Sequence, residues 1–127
     1  MQNKRDFFRL DFLGFFYYKR LALGDYRIKT DEQFTKSRIL NISGGGLACF
    51  TPALGEPLHP RSCLYGEIVL TQASRIIPVM AHIIRQTIQP FDDQEGMILA
   101  VKFVEIEIID QDLIVEIINR NVIPRQD

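Results

Sequence analysis

Apolar and polar positions alternate in short runs along most of the chain, and the period lengthens only near the C-terminus. The first run is aromatic. Phe7-Phe8-Arg9-Leu10-Asp11-Phe12-Leu13-Gly14-Phe15-Phe16-Tyr17-Tyr18 places seven aromatic residues in twelve positions, which favours strand. One strand face cannot display that many, so residues 12–18 are read as core rather than as a stacking platform. Gly24-Asp25 marks a turn, residues 26–29 a short strand, and Thr30 to Ser37 a polar loop. Arg38 to Ile42 reads as a strand leading into three consecutive glycines, Gly44 to Gly46, and Leu47 to Thr51 as the strand leading out. Pro52, Gly55, Pro57 and Pro60 mark a long irregular connection. Cys63 to Leu70 is the next strand, Gln72-Ala73-Ser74 a turn, and Ile76 to Thr87 a long strand with Pro78 near its beginning, where a missing N–H is tolerated. After the acidic loop Pro90 to Glu95, residues 96–108 set Val101, Phe103, Ile106 and Ile108 against Lys102, Glu105 and Glu107. The alternation slips at Phe103-Val104, which predicts a bulge or bend there.

The last segment changes period. Leu113, Ile114, Ile117 and Ile118 fall at helical spacing, with Asp110 or Asp112 as the candidate cap, and this predicts a helix over 109–120 that Pro124 stops. Its isoleucines work against it, because β-branched side chains lose rotamer freedom in helices. Six or seven short strands followed by one helix predict an all-β antiparallel barrel or sandwich in a single domain over residues 1–127.

Composition narrows the function classes. The 127 residues are 46% hydrophobic and 24% charged, as expected of a soluble globular domain. The formal net charge of −1 argues against a general DNA- or RNA-binding protein, which carries a basic excess. Two cysteines and two histidines at irregular spacing form no zinc pattern, and Cys49 and Cys63 in apolar surroundings read as buried thiols of a reducing cytosol. No signal peptide and no membrane-spanning run is evident, so a cytoplasmic location is expected. Nor is there a Ser/His/Asp, Cys/His or paired-carboxylate arrangement, and the chain is read as non-catalytic.

Two elements remain. Asn41-Ile42-Ser43-Gly44-Gly45-Gly46 puts two short polar side chains before a run of residues without Cβ, where φ > 0 and close approach are both open to the backbone. Residues 1–9 form a basic arm, expected to be flexible, that carries Lys4, Arg5 and Arg9. Two arginines four apart are worth little in a chain with ten, whereas Asn41-x-Ser43-x-x-Gly46 fixes three uncommon residues in one frame. Arg5-xxx-Arg9 followed about thirty residues later by Asn41-x-Ser43-x-x-Gly46 resembles the two-part signature of PilZ domains, bacterial receptors for cyclic di-GMP. The resemblance extends over most of the chain, through Gly46-Leu47, Ile83-Ile84-Arg85 and Val101-Lys102-Phe103. Two positions depart from it: Asn41 stands where Asp is frequent, and Ala100 where Gly is frequent, the latter expected to affect packing only.

The resemblance implies a PilZ-type barrel with a C-terminal helix, no cofactor, cyclic di-GMP as ligand, and an unidentified downstream protein in motility, pilus or exopolysaccharide control. It assigns the ligand to Arg5, Arg9, Asn41, Ser43 and Gly46, with Lys4, Gly45 and Arg85 beside them. The chemistry agrees. Guanine presents O6 and N7 as paired acceptors that an arginine fork matches, and guanidinium planes stack on bases. Guanine donors need acceptors, which the Asn41 side-chain oxygen and the carbonyls of the turn offer. Asn41 has one side-chain acceptor where Asp has two, which weakens that contact. Gly46 is expected to spare the ligand a clash or to hold a special backbone angle. Taken singly, each residue has a structural explanation: Arg5 and Arg9 as solvated charges, Asn41 as an Asx-turn residue, Ser43 as a hydroxyl bonded to its own turn. Lys19, Arg20, His59 and His82 are read as structural. The alternatives are a PilZ-like protein-interaction module that has lost ligand binding, or a small barrel binding single-stranded nucleic acid.

Overall fold

The computed structural model describes residues 13–21, 34–52 and 63–121. Six antiparallel strands close into a barrel, followed by one helix: β1 Gly14–Leu21, β2 Thr35–Ile42, β3 Gly46–Thr51, β4 Cys63–Leu70, β5 Ile77–Ile88, β6 Met97–Glu105 and α1 Ile108–Asn121. Around the barrel the order is β1-β2-β3-β6-β5-β4, so β1 seals it by pairing with both β2 and β4. The expected strand at 26–29, the connection 53–62, the N-terminal arm and Pro124 lie outside the described residues.

The inside is built from alternate positions, because successive strand side chains point to opposite faces. Phe16, Ile39, Leu64, Ile68, Ile77 and Leu99 are fully buried there, each contributing about 1.5–3 kcal/mol by leaving water. The aromatic run divides accordingly: Phe16 and Tyr18 lie stacked in the core, while Phe15 and Tyr17 are half-buried on the outer face. Ser37, expected in a loop, is a buried residue of β2; its Oγ donates to the Phe16 carbonyl at 2.7 Å and so tolerates the apolar interior. Tyr18 and Thr51 join their hydroxyls at 2.9 Å for the same reason. Burial pushes the Tyr18 phenol up to about 12, with the Thr51 bond opposing. Burial likewise pushes the Cys49 thiol up to about 12. Both cysteines are free thiols; Cys49 is buried as expected, whereas Cys63 is half-buried. Lys19 is a buried residue of β1 with its ammonium over the Phe34 ring, 5.5 Å from the centroid.

The predicted bulge is present. Met80 pairs with Glu105 and Ala81 with Phe103, leaving Val104 as the extra residue of β6. The helix closes one end of the barrel with Ile114 and Ile117 buried, so tertiary packing overrides the weak propensity of its isoleucines. It begins earlier than its pattern predicts: the Asp110 and Gln111 N–H groups donate to the Glu107 carbonyl, which places the cap at Glu107. Asp110, expected as a cap, is instead a nearly buried carboxylate bonded to Arg75 of the β4–β5 connection. No helix among the described residues is long and apolar enough to cross a membrane.

Candidate functional site

The glycine turn sits at the helix-capped end of the barrel, joining β2 to β3. Strict alternation inward from Ser37 and Ile39 would send Asn41 into the core. A bulge prevents this: Ile39 pairs with Cys49 and Asn41 with Ala48, so Leu40 is the extra residue. One inserted residue reverses the faces beyond it. Asn41 is therefore exposed on the outer surface, and Ile42 turns towards the core.

Ser43 is exposed as well and is engaged within the turn. Its N–H donates to the Gly46 carbonyl at 2.8 Å, and its hydroxyl accepts from the Gly45 N–H at 3.2 Å. The turn's carbonyls, expected to face a ligand, already accept bonds from the protein: Gly44 from Gln111 Nε2 at 2.7 Å, Gly45 from the Phe103 N–H at 2.9 Å, and Gly46 from Ser43. Among the described residues the Asn41 carboxamide makes no such bond, so it is the acceptor the site leaves open.

The three glycines differ in purpose. None carries a positive φ, contrary to the expectation of a special backbone angle. A Cβ at Gly46 would lie 2.3 Å from the Val101 carbonyl oxygen, so the close contact between β3 and β6 requires glycine here. A Cβ at Gly44 would meet Val115 and Gln111 of the helix, at 3.1 and 3.4 Å. A Cβ at Gly45 would meet nothing within 4 Å, which leaves Gly45 as the open approach to the turn.

Strand register then assembles a row that the linear sequence does not display. Asn41 pairs with Ala48, Ala48 with Ala100, and Ala100 with Arg85, across β2, β3, β6 and β5. At about 4.8 Å per strand, Asn41 and Arg85 stand about 14 Å apart with two methyl groups between them. Ala100, expected to matter only for packing, is half-exposed on the floor of this trough. A second row sets Gly46 beside Lys102 and Lys102 beside His82. Lys102 was not singled out from the sequence: alternation puts it on the outer face, but only the register puts it next to the glycine turn. Arg38 is a further cation on the barrel wall. It lies on β2 with its guanidinium 5.5 Å from the Phe91 ring centroid and 3.7 Å from the Asp92 carboxylate. Neither Arg85 nor Lys102 forms an ion pair among the described residues.

Lys4, Arg5 and Arg9 lie outside the described residues. The attachment point of their arm is described. Leu13 and Ile42 line one cavity with Leu70, Ile114 and Ile117, and the Leu13 carbonyl accepts from the Thr71 N–H at 2.9 Å. The chain thus enters the barrel at the end that carries the glycine turn. A smooth floor, a neutral carboxamide, a hydroxyl and flanking cations suit a flat, anionic ligand. No group of three or more acidic, histidine or cysteine side chains able to hold a metal occurs among the described residues.

No curated protein is similar enough to the chain to match it. Among solved structures, the Bacillus subtilis inhibitor of motility (MotI/DgrA) aligns with a TM-score of 0.64 and 22% identity over 88% of this chain. The chain spans only 50% of the length of that protein. The PilZ domain with c-di-GMP of YcgR from Escherichia coli aligns with a TM-score of 0.59 and 13% identity, over 84% of this chain and 80% of that one. At such identities the likeness is one of fold. The family model for the PilZ domain, however, matches residues 3–120, from the basic arm through the helix, and the chain belongs to the PilZ domain family.

Proposed function

We propose that the protein is a non-catalytic receptor for cyclic di-GMP, with the ligand held between the outer face of the β2–β3 turn and the N-terminal arm. The observation that carries this reading is that Leu13 and Ile42 line the same cavity, so the arm enters the barrel beside Asn41 and Ser43. Four residues of chain span at most about 14 Å, a reach that is compatible with Arg9 acting at the turn in this reading. In this reading Arg5 and Arg9 stack on guanine, pair with its O6/N7 edge and neutralise phosphate, with Lys4 adding charge. Asn41 accepts from a guanine donor, Ser43 exchanges its bond within the turn for one to the ligand, and the ligand approaches over Gly45. Arg85 meets the far end of the ligand across the alanine floor. Ordering of the arm creates a new surface for a downstream protein, and the likeness to the Bacillus subtilis inhibitor of motility supports a role in motility control.

Calorimetric titration with cyclic di-GMP, with GTP and cyclic di-AMP as controls, tests the proposal. Saturable binding of cyclic di-GMP alone is expected, and its stoichiometry gives one or two ligands per subunit. Absence of binding would overturn it in favour of a barrel that only binds proteins, a reading that draws on the internal bonding of Ser43 and the neutral Asn41.

A further inference from the structure

A second surface lies one strand further round the barrel. Tyr65 of β4, Pro78 and Met80 of β5, and Glu105, Ile106 and Glu107 at the end of β6 line an open groove of about 350 Å³. The β6 bulge creates it. With Phe103 pointing inward, alternation would bury Glu105, but the extra Val104 turns Glu105 outward opposite Met80. Register continues the row from Met80 to Tyr65, so the floor is a thioether, a proline and a phenol ring with carboxylates on one wall. Glu67 stands behind Tyr65 and accepts its hydroxyl at 3.4 Å.

None of Glu67, Glu105 and Glu107 forms an ion pair among the described residues. Lys19, in the same row beyond Tyr65, is about 14 Å from Glu105 by strand spacing and is turned over Phe34. The field is felt nearby: burial and then the Glu105 charge raise the Cys63 thiol, and burial and then the Glu67 charge raise the Tyr65 phenol.

We infer that this groove is a docking site for an arginine side chain of a partner protein. The aliphatic stem lies against Met80 and Pro78, the guanidinium stacks on the Tyr65 ring, and its fork bonds Glu105 and Glu107. Arginine fits better than lysine because a planar fork spans two carboxylates and stacks on an aromatic face, whereas an ammonium is a point charge. The groove belongs to β4, β5 and the exit of β6 and involves none of the residues assigned to the nucleotide, so the inference does not depend on nucleotide binding.

The test uses the ¹⁵N-labelled full chain without nucleotide. It is titrated with a capped Leu-Arg-Ala-Arg-Leu peptide and with the same peptide carrying citrulline, a neutral isostere, in place of arginine. Saturable shifts at Tyr65, Met80, Glu105 and Glu107 are expected from the arginine peptide alone. The Glu105→Gln/Glu107→Gln double variant, with an otherwise superimposable spectrum, is expected to bind about fivefold or more weakly. Equal shifts from both peptides, no saturable shifts at these residues, or undiminished binding to the double variant would each overturn the proposal. So would concentration-dependent dimerisation of the free chain that the double variant abolishes, since that assigns the groove to a second copy.

Discussion

Gly45 and Gly46 are adjacent in sequence and opposite in consequence, and substituting each with alanine separates fold from ligand. At Gly46 the added Cβ would sit 2.3 Å from the Val101 carbonyl oxygen and 3.3 Å from the Lys102 Cα. A carbon–oxygen contact normally settles at about 3.3–3.6 Å, so β3 has to move away from β6 by about an ångström. That movement strains the Phe103 N–H bond to the Gly45 carbonyl, which is 2.9 Å long in the native barrel. Overpacking with partial loss of a ladder bond is expected to cost Gly46→Ala about 2 kcal/mol. For a domain of this size that lowers Tm by roughly 8 °C. Gly45→Ala meets nothing within 4 Å and has no positive φ to lose, so its stability is expected to stay within about 0.5 kcal/mol of wild type. If the ligand approaches over Gly45 as proposed, the added methyl is expected to weaken cyclic di-GMP binding. Urea unfolding followed by circular dichroism gives the first pair of numbers and calorimetry the second. A Gly46→Ala protein as stable as wild type but unable to bind would refute the reasoning, for it would return Gly46 to the ligand and remove it from the strand contact.

Other expectations are as direct. Arg9→Ala is expected to lose at least ~2 kcal/mol of cyclic di-GMP affinity, the usual cost of removing one partner of a buried charged contact; an unchanged Kd would detach the arm from the site. Arg75→Ala should destabilise by about 2 kcal/mol, because the Asp110 carboxylate it bonds is only 7% exposed. Arg120→Ala, which breaks the exposed helical pair with Glu116, should cost about 0.4 kcal/mol; equal losses in urea unfolding would contradict the difference in burial. Stability should also fall in alkali. The Cys49 thiol and the Tyr18 phenol ionise at about 12 in the fold against ordinary values of 9.0 and 10.0, so the native state holds protons that the unfolded chain releases. Their contribution is fully present below pH 9, declines above it, and is gone beyond 12. Denaturation midpoints measured from pH 8 to 11 should stay level and then drop, and Cys49→Ala should flatten the earlier part of the drop.

Much of the barrel is written in local pattern. The period-two run from Cys63 to Leu70 is β4 without revision, and the slip at Phe103-Val104 is the bulge at Val104. The isoleucine spacing near the C-terminus is a helix whose buried face is Ile114 and Ile117. These features are legible because each depends on which face a side chain takes, and the period of the apolar residues states that directly. Membership of the PilZ domain family was legible too, in Arg5-xxx-Arg9 followed by the frame Asn41-x-Ser43-x-x-Gly46. Tertiary structure decided the rest. The apolar run through Ile42 hides the bulge at Leu40, yet that bulge exposes Asn41. Gly46 reads as freedom for the backbone and is instead clearance for a neighbouring strand. Asp110 reads as a cap and is a buried partner of Arg75, thirty-five residues away in the chain. Arg85, Ala100, Ala48 and Asn41 become one row, and Glu105, Met80 and Tyr65 another, only when six strands close at a fixed register. Register is a relation between strands, set by the sum of bulges, turns and closure around the barrel, and no single segment carries it.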